Sequence, residues 1–354
     1  MISKTSRIFL TLAALVPLAV GCAADHESRS DDRAESKPPV PVVIPLSDRV
    51  IQLTSNPDDV VVDAASKRAY TTVGFDGIVE IDTTTFSVVD QFADEENPLV
   101  GDPHHLAIDA HSGILYATAR ESVVVIDLAT NQVAARIEID GVPRDIAVDP
   151  VTHLVYTANR AIGSDIDAPD PPDGSISVID PATRTVTANI PVEGEPVSLG
   201  IDGETQTVYA AHNRGRSLTI IDGRSNTVTG AIDLGDQGSA DDGEIAFDSK
   251  SRTLYVINGG AGPLYAIDAA SNTVTARIDV GDHPKGVAVD PDIHTVYVTH
   301  YLEDGYVSVI DTESNAVVGR IEAGTYPGAI AVDVTTHSGY VGIWNDHTVY
   351  AFQR

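Results

Sequence analysis

One feature restricts this chain more than any other: it repeats. Aligning on a proline that precedes a short apolar segment gives unit starts at Pro57, Pro103, Pro143, Pro196, Ser239 (a degenerate copy), Pro284 and Pro327, at intervals of 46, 40, 53, 43, 45 and 43 residues. A period of roughly 40–50 residues is that of propeller blades, each a supersecondary unit that buries its faces only against its neighbours.

Each unit follows one grammar. An apolar run ends in Asp ("VVVD", "LAID", "IAVD", "LGID", "IAFD", "VAVD", "IAVD"). A second run is built around Tyr, as in "ILYAT" and "TVYVT". A third ends in Ile-Asp in six units, as in "VVVID", and a fourth closes six units, as in "NTVTARIDV". Four short β-branched runs bounded by turn residues predict four antiparallel strands per unit. Their near-continuous apolarity predicts sheets covered on both faces. The seventh unit lacks its fourth run, and "SDRVIQL", residues 47–53, is the candidate to supply it. The expected fold is therefore all-β: a seven-bladed β-propeller of four-stranded antiparallel blades, its ring closed by an N-terminal strand completing the C-terminal blade.

Strands such as "YVTH" (297–300), "YTAN" (156–159) and "YVIN" (255–258), with "VSVID" and "VGDHPKGVAVD", resemble the YVTN family of β-propeller repeat proteins. The resemblance covers about residues 47–354. It implies an exported bacterial or archaeal protein of the periplasm or cell surface. Similar propellers form amine dehydrogenase heavy chains and the virginiamycin B lyase, so the fold carries no single function.

The N-terminus points the same way. "MISKTSRIFLTLAALVPLAVGC" has a basic start (Lys4, Arg7) and an apolar run from Ile8 to Val20, the pattern of a secretory signal peptide. Its end, "LAVGC", resembles a bacterial lipobox, which implies cleavage before Cys22 and lipidation of that residue, the only cysteine in the chain. The expected organisation is a signal peptide (1–21), a lipidated cysteine with a flexible tether (22–44), and the propeller (45–354). The charged, then Pro-rich stretch 23–41 suits a tether. Loss of Lys4 and Arg7 with the signal would move the formal charge from −30 to −32. Such a chain repels phosphate backbones, so nucleic acid is not an expected partner.

The repeat also disposes of tempting residues. Asp63, Asp109, Asp149, Asp202, Asp248, Asp290 and Asp333 hold one place in all units, and Asp82, Asp127, Asp180, Asp222, Asp268 and Asp311 another in six. Each ends a strand, where a short carboxylate can bond turn N–H groups. His111, His153, His294 and His337 fall in the turn after the first strand, and His26 in the tether.

Six histidines remain as a candidate ligand or metal face: His104, His105 and His283 in connections between units, and His212, His300 and His347 at or after the end of the Tyr strand. Asp102, Glu303, Asp304 and Asp346 lie near them in sequence. The alternative is that these imidazoles replace Asn as loop hydrogen-bonders. No cofactor is assigned; a divalent metal is a candidate and would need three or more converging ligands. The longest insertion, "RAIGSDIDAPDPPDG" (160–174), reads as a solvated acidic loop and a candidate partner contact. No G-x-S-x-G, H-E-x-x-H, P-loop or C-x-x-C-H motif occurs. No catalytic residue is assigned. The expected function is that of a monomeric, membrane-tethered extracytoplasmic binding module for a protein, glycan or small ligand. The alternatives are metal-assisted lyase or hydrolase chemistry on the His-rich face, or a role as accessory subunit of a periplasmic redox complex.

Overall fold

The computed structural model describes residues 42–44, 49–92, 103–163, 173–213, 216–235, 243–258, 260 and 262–353. The signal segment, Cys22, most of the tether, Asp102, Ser239 and most of the acidic insertion lie outside these residues.

Seven antiparallel sheets correspond one to one with the repeats. Their first strands are Val60–Asp63, Pro103–Asp109, Val142–Val148, Pro196–Asp202, Gly243–Asp248, Pro284–Asp290 and Pro327–Asp333, which begin blades one to seven. Each first strand lies against the first strands of the blades on either side, and the seventh lies against the first, so the ring is closed. The chain is all-β: a seven-bladed β-propeller.

Closure uses the segment that the sequence nominates. Val50–Gln52 pairs antiparallel with Thr348–Gln353 and becomes the fourth strand of blade seven. The Leu53 N–H donates to the His347 carbonyl at 2.8 Å, and the Ala351 N–H to the Arg49 carbonyl at 2.9 Å. A further strand, Val42–Ile44, was not anticipated. It pairs in parallel with Ala316–Gly324 at the outer edge of blade six, making that sheet five-stranded.

There is no single core. Seven apolar clusters lie between blades, and a tyrosine from each second strand enters the cluster of the following blade. Tyr156, for example, packs with Leu199, Ile201 and Val208 of blade four. Tyr340 of blade seven packs with Val60, Val79 and Ile81 of blade one, which carries the pattern across the seam. Each blade therefore depends on its neighbours, as expected for a repeat architecture.

All thirteen repeated aspartates do what the turns require. In each, Oδ1 accepts a backbone N–H two or three residues on, as Asp149 does from Val151 at 2.8 Å and Asp82 from Thr84 at 2.8 Å. Four residues beyond each first-strand aspartate the backbone is left-handed: Lys67, Gly113, His153, Gln206, Arg252, His294 and His337. Three of these side chains reach back to the preceding blade's aspartate. His153 Nδ1 lies 3.1 Å from Asp109, Arg252 donates to Asp202 at 2.5 Å, and His337 Nδ1 lies 2.9 Å from Asp290.

Candidate ligand-binding channel

The repeated proline explains how the channel acquires its lining. In five blades the pairing of first and second strands slips just after it, between Pro103 and Leu106, Pro143 and Asp145, Pro196 and Ser198, Pro284 and Val287, and Pro327 and Ile330. Such a bulge breaks strict alternation and re-aims side chains. Residues one and two places after the proline both line a cavity of about 1090 Å³ at the ring centre.

The lining is tiered. One place after the proline come Asp58, His104, Arg144, Val197, Lys285 and Gly328, and in blade five, which has no proline, Gly243 stands at the same distance of five residues before the first-strand aspartate. Two places after come Asp59, His105, Asp145, Ser198, Glu244 and Ala329, with Gly286 at the sixth blade's equivalent. The second tier is deeper: side-chain exposure falls from 34% at Asp58 to 18% at Asp59, and from 51% at His104 to 39% at His105. Further along the same strands the lining turns apolar, with Val61, Val62, Ile108 and Val332.

The inner tier is acidic, and burial makes that costly. Asp59 and Asp145 are both pushed up to about 7, first by desolvation, with Asp145 adding repulsion on Asp59. Glu244 is raised well above the usual carboxylate range by desolvation, then by Asp59 and Asp145. Between two of them stands His105, its Nδ1 4.0 Å from Asp59 and 3.9 Å from Asp145. Burial, with Arg144, His104 and Lys285, holds this imidazole down at about 3, while the flanking carboxylates, when ionised, oppose that shift.

These side chains also lace the first strands together. Asp59 accepts the Leu106 N–H at 2.7 Å, Asp145 the Leu199 N–H at 2.7 Å, and Glu244 the Val287 N–H at 3.1 Å. Ser198 accepts the Ile245 N–H at 3.2 Å with a neutral hydroxyl. A neutral hydroxyl therefore does this work in blade four, and Gly286 and Ala329 hold the same place with no side-chain acceptor at all.

The mouth carries aromatics. Trp344, the only tryptophan, donates from Nε1 to Asp58 at 3.3 Å, and His104 Nδ1 lies 3.9 Å from the same carboxylate. Tyr301 also lines the cavity and stacks obliquely on Tyr326 at 4.9 Å. Its hydroxyl is pushed up by burial, Tyr326 and Asp58.

Of the six histidines singled out from sequence, His104, His105 and His283 line this cavity and His212, His300 and His347 do not. His300 is fully buried inside blade six. Its Nδ1 meets the Asp282 carbonyl at 2.7 Å and its Nε2 the Ser308 hydroxyl at 2.9 Å, with the ring stacked on Tyr306 at 4.0 Å. His212 holds the same register in blade four, its Nε2 2.7 Å from Thr219 Oγ1. Burial pushes both down to about 4. In blade three Asn159 stands at that register and donates to Ser177 at 2.8 Å, so these two imidazoles do the work of Asn. His347 is exposed, and its carbonyl serves the ring closure.

Among the other carboxylates, Asp346 accepts the Thr325 N–H at 3.3 Å and Asp173 the Gly194 N–H at 3.0 Å, while Glu303 and Asp304 are exposed. Among the described residues no group of three or more His, Cys, Asp or Glu is arranged to hold a metal ion. The acid tier, Arg144, Lys285 and Trp344 were missed in sequence. The signal lay in comparing the repeats at the fourth place before the first-strand aspartate, which read Asp, His, Asp, Ser, Glu, Gly and Ala; counted this way the fifth unit starts at residue 242, three residues beyond Ser239.

The class is thus a seven-bladed propeller with a charged central channel. Many solved chains share the architecture. One is hydrazine synthase of Kuenenia stuttgartiensis, with a TM-score of 0.72 at 17% identity, covering 87% of this chain and 97% of that one. At that identity the likeness speaks to fold alone. No protein-family model matches the chain. No curated protein matches it.

Proposed function

We propose that this protein is a YVTN-type extracytoplasmic binding module, tethered to the membrane through lipid on Cys22, whose central channel takes a small polar ligand. One observation carries the channel reading. Three carboxylates occupy places where Ser198 meets the same structural need without charge, although burying carboxylates is unfavourable. Half-buried ionisable groups of this kind in a concave site point to binding or catalysis. The tether reading rests on the signal-like N-terminus and the lone Cys22.

Trp344 provides the test, because its indole is at the mouth and no other tryptophan competes. Titration with amines, amino acids, dicarboxylates and sugars should change its fluorescence for one class, with the response absent from the Asp145→Asn/Glu244→Gln variant. Silence across the panel, together with a protein partner captured on the blades' outer surface, would transfer the function away from the channel. For the tether, Cys22→Ala should release the protein from the membrane fraction; retention would overturn lipid anchoring.

A second reading, catalysis, is favoured by His105 standing between Asp59 and Asp145, an arrangement suited to moving a proton. Turnover of any bound probe, lost in His105→Gln, would select it.

A further inference from the structure

The channel proposed above as the binding site carries both signs of charge, and it carries them at different depths. Arg144 and Lys285 are in the outer tier with Asp58, whereas Asp59, Asp145 and Glu244 are in the inner one, above an apolar throat. In the outer tier the two cationic side chains outnumber Asp58, and the inner tier repels a simple anion. A ligand that carries both signs can meet both tiers.

We infer that the channel selects a zwitterion: an organic ammonium that enters first and seats among Asp59, Asp145 and Glu244, followed by an anionic group that meets Arg144 and Lys285. This rests on the channel being the binding site. The aromatic mouth agrees, since Trp344 and Tyr301 line the cavity and aromatic rings attract an ammonium. The cavity of about 1090 Å³ admits a molecule of dipeptide size.

The chemistry has a proton signature. The groups facing the acid tier are His105 and Asp58, with His104 and His283 beside the mouth. Arg144, Lys285 and Tyr301 complete the titratable surroundings. Asp59 and Asp145 take up protons at about 7 because of desolvation, to which repulsion from Asp145 adds at Asp59. An arriving ammonium favours their ionised forms, so binding releases a proton to solvent. A group with a pKa near 7 is ionised about tenfold more at about pH 8 than at about pH 6, so affinity should rise by about tenfold over that range.

The test compares four probes on the full protein: glycylglycine, ethylamine, succinate and glucose. Binding is followed by Trp344 fluorescence and by calorimetry in buffers of different ionisation enthalpy, which counts released protons. The expected result is that glycylglycine binds best, tightens about tenfold with pH as above, and releases a proton. Asp145→Asn, which keeps an acceptor for Leu199, should weaken glycylglycine and flatten the pH dependence. Arg144→Gln/Lys285→Gln should erase its advantage over ethylamine. Succinate or glucose binding as well as glycylglycine would overturn the charge assignment while leaving the channel as a binding site. No response to any of the four would count against both. Variants are compared only where their melting is as cooperative as that of the parent.

Discussion

His337 Nδ1, in the last blade, lies 2.9 Å from Oδ2 of Asp290, in the blade before it. The same carboxylate uses Oδ1 to accept the Asp292 N–H at 3.1 Å, and its side chain is fully buried. One aspartate thus shapes its own turn and joins two blades. Asp290→Ala removes both bonds and leaves both partners without their acceptor, so a loss of about 2–4 kcal/mol is expected. His337→Ala removes only the joint and should cost about 1 kcal/mol. Chemical denaturation of the two variants checks the order; equal losses would show that the interblade contact dominates.

Ring closure hangs on a short strand with two unlike faces. Ile51 is buried with Tyr340, Val349 and Ala351, while its neighbour Val50 is exposed. Ile51→Asp should cost about 3–5 kcal/mol, because an ionised side chain cannot be paired there. Val50→Asp should change stability by less than about 0.5 kcal/mol. Deletion of residues 45–53 should unfold or aggregate the protein. Unchanged melting of Ile51→Asp would mean that the seam does not hold the ring.

The acid tier sets a pH dependence whose sign is fixed. Asp59 and Asp145 have folded pKa values of about 7, above the ordinary aspartate value of 3.8. Between those limits the native state binds more protons than the unfolded one, so their contribution is present at low pH and lost as pH rises to about 7. Asp145→Asn should therefore gain on the parent steadily from about pH 4 to about pH 7, and the gap should then stay constant. Thermal melting across that range decides; a gap that does not vary with pH would mean that Asp145 is ordinary.

Buried histidines act in the opposite direction. His212 and His300 are held at about 4, below the ordinary histidine value of 6.5, so the unfolded state binds more protons between those limits. Their contribution is present above about pH 6.5 and lost as pH falls through about pH 4. His300→Asn, which copies Asn159, should lose about 1–2 kcal/mol at about pH 7.5 and recover relative to the parent at about pH 5. His300→Ala should lose more at neutral pH, since Ser308 and the Asp282 carbonyl lose their partner and Tyr306 its stacked ring. Ligand affinity in the channel should be the same in both variants, and a change there would place His300 in the binding machinery.

The blade pattern was legible because it is written in local chemistry. Asp149 and its twelve counterparts end strands in front of turns, and Tyr156 and its counterparts mark second strands. Val50–Gln52 could be assigned to blade seven because a missing strand leaves a countable gap. The parallel strand Val42–Ile44 left no such gap, so nothing in the repeat foretold it. His212 and His300 looked functional for want of depth: both sit at a place where other blades carry Asn, but only the fold shows that place to be inside a blade.

The sequence by itself determined the number of blades, the seam and the roles of the repeated aspartates, since each follows from period, turn chemistry and strand counting within one unit. The tertiary structure decided which side chains share the channel. Asp59, His105, Asp145 and Glu244 come from four different blades, far apart along the chain, and meet only because the ring closes. Their pKa shifts come from that meeting: desolvation at the ring centre, and repulsion between carboxylates that no local window of sequence brings together.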